Sequence, residues 1–288
     1  MELRQKVIDC HVHIQPWNQL KPEVLARMKN GRKDYDEIQK FIQSPEAFVE
    51  YLDATGIVQA WIINYDSPDL MGFTFEVNRF CANYCKNHPQ RLVSFGSVNP
   101  RTSKNVADDL KKVVDWGIRG IKLHPPHQLF SPNEYLSSGH QNLQELYRFC
   151  ELKKLPVMFH TGTSIFPGAR SRFGNPITID DVAVDFPNLK IILAHGGRPL
   201  WQQEAFFLVR RHPNVYLEIS GIPPAKLLEY FPRLEEVASK TLFGTDWPGP
   251  GVASIAKNIE EFKNLKLSDE AKENILHKTA EQFFGGGT

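Results

Sequence analysis

Short apolar runs recur along the chain at spacings that leave room for a helix between each pair. The runs are Val7–Ile14, Val58–Tyr65, Leu92–Asn99, Ile118–His124, Pro156–Thr161, Lys190–Gly196, Val215–Ser220 and Thr241–Trp247. Most are close to continuously apolar and lack alternation with polar residues, as expected of parallel strands covered on both faces. Helix signals fill the gaps. Ser44-Pro45-Glu46 opens a helix that Gly56 closes, with proline at the first position and glycine just past the end. Ser103 is a cap for a helix ending at Gly117, and Asn142–Lys154, Pro199–Arg211 and Ser268–Phe284 carry apolar residues at helical spacing. Pro232 splits the segment after the seventh run into two shorter helical pieces.

A faint repeat supports this order. His88-Pro89-Gln90, Phe186-Pro187-Asn188 and His212-Pro213-Asn214 each follow a helical stretch and precede a strand. Eight strand–helix units predict an α/β fold of the (β/α)8 TIM-barrel type, because right-handed crossovers can close the sheet on itself. An open doubly wound sheet would need a glycine-rich phosphate loop after the first strand, where this chain has His11-Val12-His13. No linker divides the sequence, so residues 1–288 read as one domain. Residues 15–43 read as a polar, irregular insertion after the first strand, placed to wall or cover the barrel mouth.

Composition narrows the class. Lys and Arg total 34 against 33 Asp and Glu, a net charge of +1, and no basic stripe is present. Nucleic acid and anionic membranes are therefore not expected as partners. The start of the chain, Met1 to Lys6, has no apolar core or cleavage site of a secretory leader, and no run is long enough to span a bilayer. Cys10, Cys81, Cys85 and Cys150 form no CxxC pair and read as small buried hydrophobes in a reducing cytoplasm.

The chemistry sits at strand ends. His11 and His13 are two apart on a strand, so both can point to one side and share an ion. Taken alone this HxH is weak, since ten histidines produce one by chance in roughly one chain in three. His160 ends the fifth run, His195 the sixth and Asp246 the eighth, and the carboxyl ends of barrel strands open on a single face. A lone strand-end histidine is ordinarily a hydrogen-bonded core residue; five convergent groups predict a metal site. Which of them ligate and which act as a nearby acid or base stays open on the residues alone.

The segments VIDCHVH, GIKLHP, PVMFHTG, IILAHGG and LFGTDWPGP resemble the amidohydrolase superfamily, in its amidohydrolase-related, aminocarboxymuconate-semialdehyde decarboxylase-like branch, over nearly the whole chain. The resemblance implies one divalent metal bound by His11, His13, His160 and Asp246, with His195 beside it as an acid/base or electrostatic group. Imidazoles and a carboxylate suit Zn2+, with Mn2+, Fe2+ or Co2+ as alternatives, and the resemblance makes a homodimer a reasonable expectation.

Around the mouth, Lys122 on the fourth strand is a candidate for substrate contact, for bridging two metals or for structure, and His124 shares its parity. Arg170, Arg172 and Arg198 are candidates to clamp a substrate carboxylate, and Trp17, Trp201 and Trp247 to wall a planar one. Gly249 and Gly251 leave a loop with little bulk beside Asp246. The expected activity is hydrolysis of a C–O or C–N bond, as in a lactone or amide, of a small carboxylate-bearing molecule, with Asp246 and His195 moving protons. Non-oxidative decarboxylation of an aromatic or dienyl acid uses the same ligands and is the alternative; a barrel that has lost catalysis and only binds is the reading from a different class.

Overall fold

In a computed structural model, which describes residues 6–137 and 139–284, the eight expected strands are present and all pair in parallel. They are β1 (Val7–Val12), β2 (Ile57–Ile63), β3 (Leu92–Gly96), β4 (Gly120–Leu123), β5 (Val157–His160), β6 (Ile191–Ala194), β7 (Val215–Glu218) and β8 (Thr241–Leu242). They lie in sequence order across one sheet. The chain beyond β8 returns to β1: Cys10 N–H donates to Phe243 C=O at 2.9 Å, Asp246 N–H to His11 C=O at 2.8 Å, and His13 N–H to Trp247 C=O at 2.7 Å. Those bonds close the sheet into a (β/α)8 barrel. The expectation about a leader falls mainly on residues 1–5, outside the described residues; no described helix is long and apolar enough to cross a membrane.

The barrel floor is apolar and comes from alternate strand positions. Ile8, Cys10, Trp61, Val93, Phe95, Met158, Ile192 and Leu242 form one buried cluster inside the sheet. A larger cluster lies between strands and helices. Further along the same alternation the side chains turn polar: Lys122 and His124, His160, Glu218 and Ser220, then Asp246. On β1 the pairing with β2 is irregular between Asp9 and Val12. An extra residue in one strand shifts the parity of all that follow, so His11 and His13 join the interior set that Ile8 and Cys10 began.

Three local expectations need correction. The insertion over the mouth is not irregular: it folds as helices Pro22–Lys29 and Tyr35–Gln43, whose apolar residues Val24, Met28, Ile38 and Phe41 are buried against the body. The helix expected from Ser103 spans Val106–Asp115 and is capped by Asn105, whose side chain accepts from Asp108 N–H at 3.1 Å. The closing helix is broken into Asp269–Glu273, a π-turn at Asn274–Lys278 and Thr279–Phe284. Ser44 and Gly56 do cap Pro45–Thr55 as read, and Gly56 sits in the left-handed region that glycine favours. All four cysteines are buried and free.

Candidate functional site

At the carboxyl end of the barrel, β1 delivers two imidazoles toward the carboxylate that follows β8. His11 Nε2 lies 3.2 Å from His13 Nε2, His13 Nε2 lies 3.1 Å from Asp246 Oδ1, and His11 Nε2 lies 3.7 Å from the same oxygen. The opposite ring nitrogens are all engaged. His13 Nδ1 faces the carbonyl of Ile63 at 2.9 Å, and His195 Nδ1 faces the carbonyl of Ser220 at 3.0 Å. A carbonyl only accepts, so both Nδ1 atoms carry the proton and both Nε2 atoms carry a lone pair. His11 Nδ1 donates to Glu218 Oε2 at 2.9 Å, which leaves its Nε2 bare as well. Lone pairs and a carboxylate that face one another at these separations need a cation among them. The donor set therefore fits a metal ion, with the outward N–H groups held as metal-binding histidines usually are.

His11, His195 and Asp246 offer ligand atoms that all lie within 4.8 Å of one another. His160 sits alongside: its ring centroid is 4.7 Å from that of His195, and its Nε2 reaches Thr163 C=O at 3.3 Å, leaving Nδ1 free. His195 and Asp246 are both in left-handed backbone conformations, with φ of 65° and 68°. Non-glycine residues held there cost on the order of 1–3 kcal/mol each, and such strain concentrates at functional sites. Gly221 makes room for this arrangement, since a Cβ there would lie 2.7 Å from Arg198 Nη2 and 2.9 Å from Asp246 Oδ2.

Two buried acids support β1 from behind. Asp9 accepts from His11 N–H at 3.1 Å, Thr245 N–H at 3.0 Å and Thr245 Oγ1 at 2.7 Å; burial nevertheless lifts its carboxyl to about 7. Glu218 also accepts from Ser220 Oγ at 2.8 Å and Ser220 N–H at 2.6 Å, and burial lifts it to about 7. Burial acts upward on Asp246 too, but its place beside His13, His11 and the Arg198 guanidinium holds it down at about 2. Burial first, then neighbouring positive charge, hold His11, His124, His160 and His195 well below the usual imidazole range.

A cavity opens above this cluster. Lys122, His124 and Arg198 line it together with His13, His160 and Asp246. Lys122 is fully enclosed, its Nζ has no hydrogen-bond partner among the described residues, and burial draws its ammonium down to about 8. His124 Nδ1 and Arg198 Nε are likewise unpartnered, and Arg198 Nη2 lies 3.7 Å from Asp246 Oδ2. Other expected mouth residues are elsewhere. Arg170 and Arg172 are exposed, with the Arg172 guanidinium over the Phe173 ring at 4.8 Å. Trp247 points outward and stacks on Phe48 at 6.3 Å, while Trp17 is buried beside Tyr35. Gly249 lines the cavity and Gly251 does not.

Sequence reasoning missed Asp9, Glu218, Gln15, Tyr65, His127 and Ser164. The last four line the cavity. Glu218 and Tyr65 were within reach of the rule that found His160, because each is a polar group at the end of an apolar run.

The comparisons agree with this architecture. An uncharacterised TIM-barrel protein from Bordetella bronchiseptica is 25% identical, with a TM-score of 0.77 over 97% of this chain and 98% of its own. The 5-carboxyvanillate decarboxylase LigW from Sphingomonas paucimobilis is 13% identical, with a TM-score of 0.70 over 98% of this chain and 100% of its own. A second such decarboxylase, from Novosphingobium aromaticivorans and solved with bound manganese, is 15% identical, with a TM-score of 0.69 over 98% and 97%. At these identities the two decarboxylases establish likeness of fold. No curated protein sequence matches significantly. The profile of the amidohydrolase family matches residues 8–286, nearly the full length, and the chain belongs to that family.

Proposed function

We propose that the protein is a metal-dependent enzyme that hydrolyses a C–O or C–N bond, as in a lactone or amide, of a small carboxylate-bearing molecule. The observation that carries this reading is the set of buried, unpartnered donors, Lys122 Nζ, Arg198 Nε and Gln15 Nε2, on residues that line the cavity beside the histidine–aspartate cluster. Buried donors without partners are costly and persist where a ligand completes them. Two of these three are cationic, which selects an anion, and a carboxylate matches the fork of Arg198.

His11, His13, His160 and Asp246 would hold one divalent ion, with His195 adjacent; Zn2+ suits the donors and Mn2+ is the first alternative. An ion held there would supply Lewis acidity toward water and toward a substrate carbonyl. Asp246, ionised at neutral pH, is placed to accept a proton and return it to the leaving atom. Lys122 and Arg198 hold the substrate carboxylate, and His195, fixed by Ser220, presents Nε2 toward the reacting group. Loss of the ion in His160→Asn, with retention in His195→Asn, is the outcome expected by elemental analysis; the reverse makes His195 the ligand.

Decarboxylation of an aromatic or dienyl acid is the second reading, favoured by the activity of the two 5-carboxyvanillate decarboxylases of similar structure. Cations gathered on a carboxylate stabilise it before it leaves, which weighs toward reactions that keep it. Turnover of a panel of lactones and aromatic acids in 18O-labelled water decides between the two. Label in the product supports hydrolysis; CO2 release without label overturns it.

A further inference from the structure

On the cavity wall beside the His124 ring, three neutral side chains form a chain. Tyr65 Oη lies 3.0 Å from His127 Nδ1, and His127 Nε2 lies 2.7 Å from Ser164 Oγ. All three residues line the cavity. Ser164 Oγ also accepts from Phe166 N–H at 3.2 Å. His127 is locked in place by stacking on His124 at 3.5 Å between centroids, and His124 stacks on His160 at 3.8 Å. Its ring centroid is 6.3 Å from that of His160 with the His124 ring stacked between them, and the Tyr65 ring lies 6.4 Å from that of His13, so the chain borders the cluster along one wall of the same cavity.

Counting hydrogens shows what the chain can do. A tyrosine, a neutral imidazole and a serine carry three, and the two internal bonds use two of them. In one polarity Ser164 donates to Nε2, Nδ1–H donates to Tyr65, and the Tyr65 O–H is spare. In the other Tyr65 donates to Nδ1, Nε2–H donates to Ser164, and the Ser164 O–H is spare. Each polarity offers one donor at one end and one open lone pair at the other. Burial, helped by the positive charge of Lys122, keeps His127 down at about 3, so the chain stays uncharged at neutral pH. Tyr65 and not a carboxylate faces Nδ1 of His127, so nothing there supports an imidazolium, which argues against reading Ser164 as a nucleophile.

We propose that Tyr65, His127 and Ser164 are a two-way hydrogen-bond relay that binds an uncharged oxygen of the substrate, a hydroxyl or a carbonyl, other than the carboxylate held by Lys122 and Arg198. This rests on the carboxylate reading of the cavity and adds a specificity-determining subsite to it. The relay suits a neutral oxygen because it brings no charge of its own. Flipping its polarity lets it meet either a donor or an acceptor without leaving a buried group unpaired.

The test compares two probes, benzoate and m-hydroxybenzoate, by calorimetry on the Mn2+-loaded protein. One added hydrogen bond predicts that the wild type prefers the hydroxylated acid about tenfold. Tyr65→Phe and Ser164→Ala each leave one hydroxyl on the relay, so each lowers the preference only in part. The double variant brings it to one while benzoate affinity stays within about twofold. A preference that survives in the double variant, or a wild-type preference of one, overturns the relay alone. Failure of benzoate to bind the wild type overturns the carboxylate reading and the relay with it. Should the double variant fail to fold, the single variants decide: a lowered preference supports the relay and an unchanged one overturns it.

Discussion

Replacing Lys122 with methionine should make the protein more stable and a poorer binder of carboxylates. The ammonium is enclosed and unpartnered, and burial draws it from its ordinary 10.5 to about 8, against the pull of Glu218 and Asp246. That fall, at about 1.4 kcal/mol for each factor of ten in proton affinity, means that folding at neutral pH works against on the order of 3 kcal/mol. The folded chain releases this proton before the unfolded chain does, so wild-type stability should rise as pH climbs from about 8 toward 10.5. Methionine fills similar volume without the charge and shows no such rise. The gap between variant and wild type is therefore widest below pH 8 and closes by about 10.5. Three kcal/mol is a ceiling, because Glu218 loses the positive charge that helps keep it ionised. For a chain of this size the ceiling corresponds to about 6–12 °C in Tm. Thermal unfolding of both proteins with a chelator present, near pH 7 and near pH 10, reads the effect directly. Benzoate affinity should meanwhile fall about 10–100-fold, the usual range for a charged hydrogen bond. A variant less stable than wild type at pH 7, a gap that persists at pH 10, or unchanged benzoate affinity would refute the reasoning.

Three further outcomes follow from the geometry. Arg198→Ala should weaken benzoate binding at least about tenfold, while Arg170→Ala and Arg172→Ala, whose side chains lie outside the cavity, stay within about twofold; equal losses in all three would contradict the placement. Gly221→Ala should destabilise by about 1–3 kcal/mol in denaturant titration and lower activity, because φ is 65° there and the new Cβ would press on Arg198 and Asp246. Asp66→Asn should raise Tm at neutral pH and leave it unchanged near pH 4. Burial lifts the Asp66 carboxyl from 3.8 to about 6, so the wild type loses stability as pH rises through that interval, and the amide does not. A Tm difference independent of pH would count against this assignment.

What the sequence disclosed follows the period of a strand, and what it concealed departs from it. Alternation carried along each apolar run puts Lys122, His124, His160 and Asp246 on the inside without any coordinates. The same alternation, applied one residue further, turns Trp247 outward, where it stacks on Phe48; its place next to Asp246 in the chain was a misleading cue. Glu218 is legible by the same rule, although a single carboxylate in VYLEIS fits a solvated strand end equally well. Yet it is fully buried and fixes the tautomer of His11. Arg170, Arg172, His127 and Ser164 sit in loops or a one-turn helix, which have no period to read. Two of these four enter the cavity and two do not, and only the course of the backbone separates them.

His195 and Asp246 show most clearly why strand periodicity alone cannot finish a site. Asp246 continues the interior alternation of Leu242, while His195 follows the interior Ala194 and is out of step with it; both are swung into the left-handed region, with φ of 68° and 65°. Asp and His tolerate that conformation better than most residues but still adopt it at a cost, so the surrounding fold must impose it. Gly221 accommodates Arg198 and Asp246, and the bond from Asp246 N–H to His11 C=O ties the strained residue to β1. The imposed turns help bring His195 to within 4.8 Å of groups that stand 184 and 51 residues away in sequence, at His11 and Asp246. Apolar pattern thus specifies the barrel and the face on which chemistry occurs. The final convergence depends on backbone strain that the barrel, once closed, is stable enough to hold.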